Sequence, residues 1–118
     1  MDNAQPLDWK ERFYSACAHW VSTLGLTEWR VQFHEFHEPD EAYARVVPEF
    51  ESCLCSFGWN TAGSDLGDMK SPEQIAKHEV LHVLLHRLIC VAAETRKPFG
   101  SIVNSEEHCV IQRLLGVL

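Results

Sequence analysis

The sequence of 118 residues lacks a long hydrophobic run and any cluster of positive charge. His86 and Arg87 interrupt its longest apolar stretch, which is too short to cross a bilayer. The first six residues have neither the positive region nor the apolar region of a secretory signal. The net charge of −7 disfavours binding to nucleic acid or to an anionic membrane. We therefore expect a single cytoplasmic domain over residues 1–118, with no nucleic acid and no membrane among its partners.

The number of cysteines is odd, and the sequence lacks two cysteine pairs with the spacing that is usual in a zinc site. Five thiols in a chain without a recognisable signal are expected to stay reduced. Cys53 and Cys55 lie two residues apart on a predicted strand. Because they lack a second ligand pair at the usual spacing, they are better explained as small apolar core residues.

Hydrophobic periodicity predicts the order α-β-β-β-α-α and an α+β fold. Apolar residues at three- and four-residue steps indicate a first helix over residues 6–24, which Gly25 ends. Alternation predicts strands at residues 27–36, 42–47 and 52–59, and their short connections favour an antiparallel meander. Two further helices are predicted at residues 72–90 and 105–115, separated by a loop near residues 93–102.

The most informative feature is the segment His78-Glu79-Val80-Leu81-His82. On a helix, side chains four residues apart project from one face, so His78 and His82 can reach one Zn²⁺. Glu79 can then act as the base for a water molecule in metal-assisted hydrolysis. This H-E-x-x-H pattern predicts a zinc site with a catalytic carboxylate.

The surroundings of the motif strengthen this interpretation. Ser71 is a predicted N-cap, Pro72 suits the first helical position, and Gln74 occupies the capping-box position. Apolar residues cover most of the circumference of the helix that follows, which predicts burial on all sides. Buried polar side chains without partners are costly, and a metal ion would satisfy both imidazoles together.

A third ligand from the same helix is disfavoured. Leu85 and Leu88 occupy the positions of the Gly and His in the longer pattern H-E-x-x-H-x-x-G-x-x-H, which excludes that class. Around the helix axis, the side chain of His86 points in a direction about 80° away from that of His78. We therefore expect His86 at the surface or behind the ligands.

The last helix offers better candidates for the third ligand. Glu107 lies on its apolar stripe and is the first choice, Glu106 is the alternative, and His108 and Glu94 remain open. A competing explanation is that Asn104 caps the helix and Glu107 is its capping-box partner. Acid in a first turn also suits the helix dipole.

The motif helix, the three preceding strands and the later Glu-bearing helix together resemble the zincin-like metallopeptidases. The chain looks most like a minimal gluzincin, as encoded in bacterial, archaeal and phage genomes, with H-E-x-x-H completed by a downstream Glu. The resemblance covers roughly residues 27–115 and is specific only at His78, Glu79, His82 and the Glu106-Glu107 pair.

This resemblance implies Zn²⁺ as cofactor and cleavage of a peptide or protein substrate, with Glu79 as base and then as proton donor to the leaving amine. In that family the strand before the motif helix is an edge strand that pairs with substrate. Here that strand begins at Ser52 and ends at Trp59. Gluzincins also have an oxyanion donor outside the zinc set, for which the candidates are Tyr43, His108, His34 and Arg113.

A non-catalytic function is the alternative. The small size, the acidic composition and the absence of a motif that fixes the oxyanion donor fit a zinc-binding protein that acts by interaction. Such a protein could be an inhibitor or a phage structural component with a dedicated protein partner, in the host cytoplasm or the virion. A metal-free α+β interaction domain with a chance motif is the third reading.

Overall fold

The computed structural model describes residues 5–49, 51–95 and 100–118. Its elements follow the predicted order α-β-β-β-α-α, and the α+β class is confirmed. The helices are α1 (Trp9–Thr23), α2 (Pro72–Thr95) and α3 (Gly100–Leu115), and the strands are β1 (Arg30–Phe36), β2 (Ala44–Glu49) and β3 (Leu54–Asn60). Within the described residues, no helix has both the length and the apolar character needed to cross a membrane.

The sheet is mixed, so the predicted antiparallel meander is wrong. The strand order is β1-β3-β2, with β3 parallel to β1 and antiparallel to β2. The prediction that the strand from Ser52 to Trp59 lies at an edge is also wrong, because β3 is paired on both sides. The strand that contacts the motif helix is β2, which lies at an edge of the sheet.

A buried asparagine explains why the β1–β2 connection can pass beyond the end of β3. Asn60 is 1% exposed. Its Nδ2 donates to the carbonyl oxygens of Glu38 (2.8 Å) and Ala42 (3.0 Å), and its Oδ1 accepts from the backbone N–H of Glu38 (3.1 Å). These bonds satisfy backbone groups that a simple hairpin would have paired between strands.

The core lies between the sheet and the two helices α1 and α2. Phe13 and Trp59 are fully buried, with ring centroids 5.0 Å apart. Helix α2 packs against α1, β2 and α3. Its predicted start is confirmed, since the Ser71 hydroxyl accepts a hydrogen bond of 3.2 Å from the backbone N–H of Gln74.

Helix α3 begins earlier than the sequence indicated. It starts at Gly100, so Asn104 lies within the helix and the predicted capping box of Asn104 with Glu107 is wrong. Residues 96–99 of the predicted loop lie outside the described residues. The earlier start leaves the burial of Glu107 without a capping explanation.

Candidate metal centre

Three histidines converge where α2 crosses α3. His78, His82 and His108 each offer a ring nitrogen, and the three nitrogens lie within 4.8 Å of one another. The ring centroid of His82 lies 4.9 Å from that of His78 and 5.1 Å from that of His108. The helical spacing of the motif thus brings its two histidines together as predicted, and α3 adds a third.

The spacing of the first two imidazoles matches a tetrahedral zinc site. Nε2 of His82 lies 3.3 Å from Nε2 of His78. Zn–N bonds of about 2.0–2.1 Å at tetrahedral angles separate two ligand nitrogens by about 3.3–3.4 Å. The distance between these two nitrogens is therefore one that two ligands of a single metal ion can have.

Glu107 contacts the other nitrogen of His82. Its Oε2 lies 3.0 Å from Nδ1 of His82, and both side chains are mostly buried. A carboxylate accepts a hydrogen bond from Nδ1–H, and this tautomer leaves a free lone pair on the Nε2 that faces His78. Glu107 thereby fixes the tautomer and the ring orientation of His82, and in this arrangement it stands behind the imidazole.

His78 has one nitrogen without a partner. Its Nδ1 is buried and makes no hydrogen bond to the described residues. Burial lowers the pKa of His78, and the neighbouring imidazoles of His82 and His108 lower it further. A neutral imidazole is the form that binds a metal ion.

Glu79 is a half-buried carboxyl beside this cluster, and burial raises its pKa to about 8. None of the ion pairs among the described side chains reaches it. Among the described side chains, none supplies a paired positive charge to this carboxyl, and a divalent cation would supply one.

An open cleft of about 530 Å³ exposes the cluster. One wall is the edge strand β2, and the other is formed by α2 and α3. The residues from the two helices that line it are Glu79, His82, His86, Ile89, Cys90, Asn104, Glu107 and His108. The cleft opens on His82, His108 and Glu79 from the side of β2.

Tyr43 lines a second cavity of about 220 Å³ together with His78 and Glu79. Its ring stacks on Trp59 at a centroid distance of 6.2 Å. Of the candidate oxyanion donors, His108 lies in the imidazole cluster instead. His34 lies beside Gly58 on the sheet, and Arg113 is exposed in the last turn of α3.

Glu106 and His86 lie outside the cluster of three imidazoles. Glu106 is exposed. His86 is half-buried on the cleft wall, with its Nε2 3.3 Å from the Sγ of Cys90. Burial lowers the pKa of His86. The side chain of Glu94 lies outside those that the structure describes.

The sequence ranks His108 below Glu107 as a metal ligand, because helical periodicity puts Glu107 and not His108 on the apolar stripe. Its position depends on the crossing of α2 and α3, which periodicity does not report. A usable signal was present, however, since His108 is the one histidine that the sequence places on the last helix. Comparison of the chain with family models, with curated proteins and with solved structures finds no match.

Proposed function

We propose that the protein is a zinc-dependent metallopeptidase of the zincin-like type. The observation that carries the proposal is the cluster of three imidazoles, two of which, His82 and His108, line an open cleft together with Glu79. In this proposal His78, His82 and His108 hold the zinc, and Glu107 orients His82 from behind. The earlier expectation of Glu107 as third ligand remains the competing arrangement.

The donor set favours zinc over the hard cations. Three neutral nitrogens with one open position are typical of catalytic zinc, whereas Mg²⁺ and Ca²⁺ prefer oxygen ligands. Zinc in such a site supplies Lewis acidity and makes a water molecule acidic enough to attack near neutral pH. Glu79, which forms no ion pair with another described side chain, fits a site that is completed by a cation.

Glu79 is the general base in this mechanism. It lines the cleft next to the imidazoles, where its carboxylate accepts a proton from the attacking water. The same carboxyl then donates that proton to the leaving amine. Its half-buried environment keeps bulk water from competing for the proton, and a nearby cation favours its ionised form.

The edge strand β2 offers the backbone surface for an extended peptide. Ala44, Val46 and Pro48 line the cleft, and no other described strand pairs with the outer edge of β2. A peptide that adds to this edge would cross the cleft in front of Glu79 and His82. Pro48 lacks a backbone N–H, so pairing is expected to weaken beyond Val47.

Tyr43 is the proposed oxyanion donor. It shares the smaller cavity with His78 and Glu79, and it is not among the three imidazoles of the zinc set. A phenolic hydroxyl can donate to the oxygen that gains charge in the transition state. Tyr43→Phe is expected to lower kcat by about 100-fold and to leave zinc binding unchanged.

The test is Glu79→Gln in the zinc-loaded protein, assayed on a mixed peptide library with products identified by mass spectrometry. Cleavage should be lost while one zinc per chain is retained, because glutamine keeps the shape and cannot accept the proton. Glu28→Gln, at an exposed position outside the cleft, is the matched control and should cleave normally. Cleavage retained in Glu79→Gln would refute the mechanism, and a zinc-loaded wild type without cleavage would favour the non-catalytic alternative.

A further inference from the structure

The backbone of Tyr43 is tied to the end of β3. Tyr43 directly precedes Ala44, the first residue of β2. Its carbonyl oxygen accepts a hydrogen bond of 2.6 Å from the backbone N–H of Asn60, the last residue of β3. Since Ala44 pairs with Trp59 in the sheet, this bond continues the antiparallel ladder by one residue. The sheet therefore fixes the point from which the Tyr43 side chain leaves the backbone.

The ring of Tyr43 lies against an aromatic ring and a glycine. It stacks on Trp59, with 6.2 Å between the ring centroids and 29° between the ring planes. A Cβ on Gly63 would overlap with Cδ1 and Cε1 of Tyr43 and would lie 3.3 Å from its Cζ. Among the described glycines, only Gly25 and Gly67 have a positive φ. Position 63 therefore needs glycine for space and not for its backbone conformation.

The side chain of Gln5 binds all three residues that border Tyr43. Its Oε1 accepts a hydrogen bond of 2.5 Å from Nε1 of Trp59. Its Nε2 donates to the carbonyl oxygens of Asn60 (3.1 Å) and Gly63 (2.6 Å). Because an indole N–H can only donate and a carbonyl oxygen can only accept, one orientation of the Gln5 amide satisfies all three groups. Gln5 thus links the ring that stacks on Tyr43 to the glycine beside it.

We infer that Gln5 and Gly63 are positioning residues, which hold the ring of Tyr43 beside the candidate metal centre. Tyr43 shares the cavity of about 220 Å³ with His78 and Glu79. Gln5 and Gly63 are described residues that line neither this cavity nor the open cleft, so they act on the site through Tyr43. The catalytic part of the inference rests on the proposed function, in which Tyr43 is the oxyanion donor.

The position of an oxyanion donor has a large effect on the rate. The donor has to lie about 2.7–3.1 Å from the oxygen on which charge develops. A displacement of about 1 Å can slow a reaction by about 100-fold. The tyrosine side chain turns about two torsions, and the contacts with Trp59 and Gly63 restrict both of them. We therefore expect changes at either positioning residue to lower kcat.

The first test is Gly63→Ala in the zinc-loaded chain, with a peptide that the wild type cleaves. The added methyl group should displace the ring of Tyr43, lower kcat by about tenfold, and leave KM and zinc content unchanged. Gly116→Ala is the matched control, because a Cβ there would meet the carbonyl oxygen of Arg113 at 3.4 Å, an ordinary contact. This control should cleave like wild type. An unchanged kcat in Gly63→Ala would overturn the part of the inference that concerns Gly63.

Gln5→Glu is the second variant. It keeps the acceptor for Trp59 and loses both donors, so that a carboxylate faces the carbonyl oxygens of Asn60 and Gly63. We expect kcat to fall by about tenfold at an unchanged KM. Gln32→Glu, at an exposed position of β1, changes the net charge equally and should cleave like wild type. An unchanged kcat in Gln5→Glu would overturn the part that concerns Gln5.

The same two changes in a Tyr43→Phe background separate positioning from a general loss of structure. Phenylalanine keeps the ring and lacks the hydroxyl, so moving it further should change kcat by less than about twofold. An equal loss in both backgrounds would show that the effect does not pass through the hydroxyl and would overturn the inference. A Tyr43→Phe variant that cleaves like wild type would overturn its catalytic part.

Nuclear magnetic resonance of ring-labelled tyrosine tests the placement of Tyr43 without an activity assay. The chain has two tyrosines. The signals of Tyr43 should shift in Gly63→Ala and in Gln5→Glu, because the ring moves relative to Trp59, whereas those of Tyr14 should stay. Unchanged Tyr43 signals in both variants would overturn the inference, whether or not the chain cleaves peptides. Shifted signals in a zinc-loaded chain without cleavage would support the placement and refute the proposed function alone.

Discussion

The two halves of α2 have different surroundings. In the first half, Ile75, Ala76, Val80, Leu81 and Val83 are buried, and α1, the sheet and α3 surround the helix. Beyond Val83, Leu84 and Leu88 are exposed, and the chain extends to 51 Å along its longest axis against 28 and 27 Å along the others. The same helix is therefore a core element at its start and half of a projecting helix pair at its end.

The candidate metal centre lies where these two regions meet. His78 and His82 belong to the buried half of α2, whereas His108 belongs to α3, which packs mainly against α2. A metal held by all three would tie α3 to the core. In the proposed site the core would provide rigid ligands, and the metal would stabilise mainly the projecting pair.

The largest expected difference is in the free energy of unfolding, between a variant in the core and a variant on the projecting helix pair. Phe13→Ala should lower the free energy of unfolding by about 3–5 kcal/mol, because a fully buried ring is replaced by a cavity. Leu88→Ala should change it by less than about 0.5 kcal/mol, because Leu88 is 65% exposed. Urea unfolding followed by circular dichroism measures both. Equal losses for the two variants would show that the pair is packed as tightly as the core.

Zinc should stabilise α3 more than the sheet. At zinc concentrations about 100 times the Kd, hydrogen exchange in α3 should slow by about 100-fold, which corresponds to about 2.7 kcal/mol. Chelation should reverse the effect, and His108→Ala should remove it. Exchange that slows equally in β3 and α3, or in neither, would contradict the coupling of α3 to the core through the metal.

The smallest expected effect is a difference in thiol reactivity between the buried core and α3. Burial raises the pKa of Cys55 to about 11 and raises the pKa of the Cys17 thiol still further. Cys109 on α3 is exposed. Because the thiolate is the reactive form, iodoacetamide should label Cys109 first, and Cys17 and Cys55 only when the chain unfolds. Timed labelling with peptide mass spectrometry measures this order, and early labelling of Cys17 would contradict the described core.

Local sequence patterns predicted the elements but not all of their neighbours. Periodicity and the Ser71 cap gave the helices and strands in the right order, because these signals act over a few residues. The sheet order depends on Asn60, whose side chain binds the backbone of residues 22 and 18 positions away in sequence.

The apolar, glycine-containing β3 carried a signal for a central strand. Gly58 leaves room for His34, since a Cβ there would lie 2.5 Å from its Nε2.

The same distinction between local and long-range contacts applies to the candidate site. The i,i+4 spacing predicted that His78 and His82 would meet, because one helix fixes both. The partner from α3 depends on the crossing of two helices, and a rotation of about 100° exchanges Glu107 for His108. The sequence therefore identified the helix that completes the cluster, while the ligand from that helix remains a proposal.

The proposed metal centre is a zinc site of three imidazoles in which Glu107 orients His82. The most direct measurement is zinc content and zinc affinity of the untagged wild type, His108→Ala and Glu107→Ala, with Glu106→Ala as the exposed control. We expect one zinc per wild-type chain, loss of zinc in His108→Ala, and retained zinc with about 10–100-fold weaker affinity in Glu107→Ala. Loss in Glu107→Ala with retention in His108→Ala would make Glu107 the ligand, and a wild type without zinc after reconstitution would contradict the site altogether.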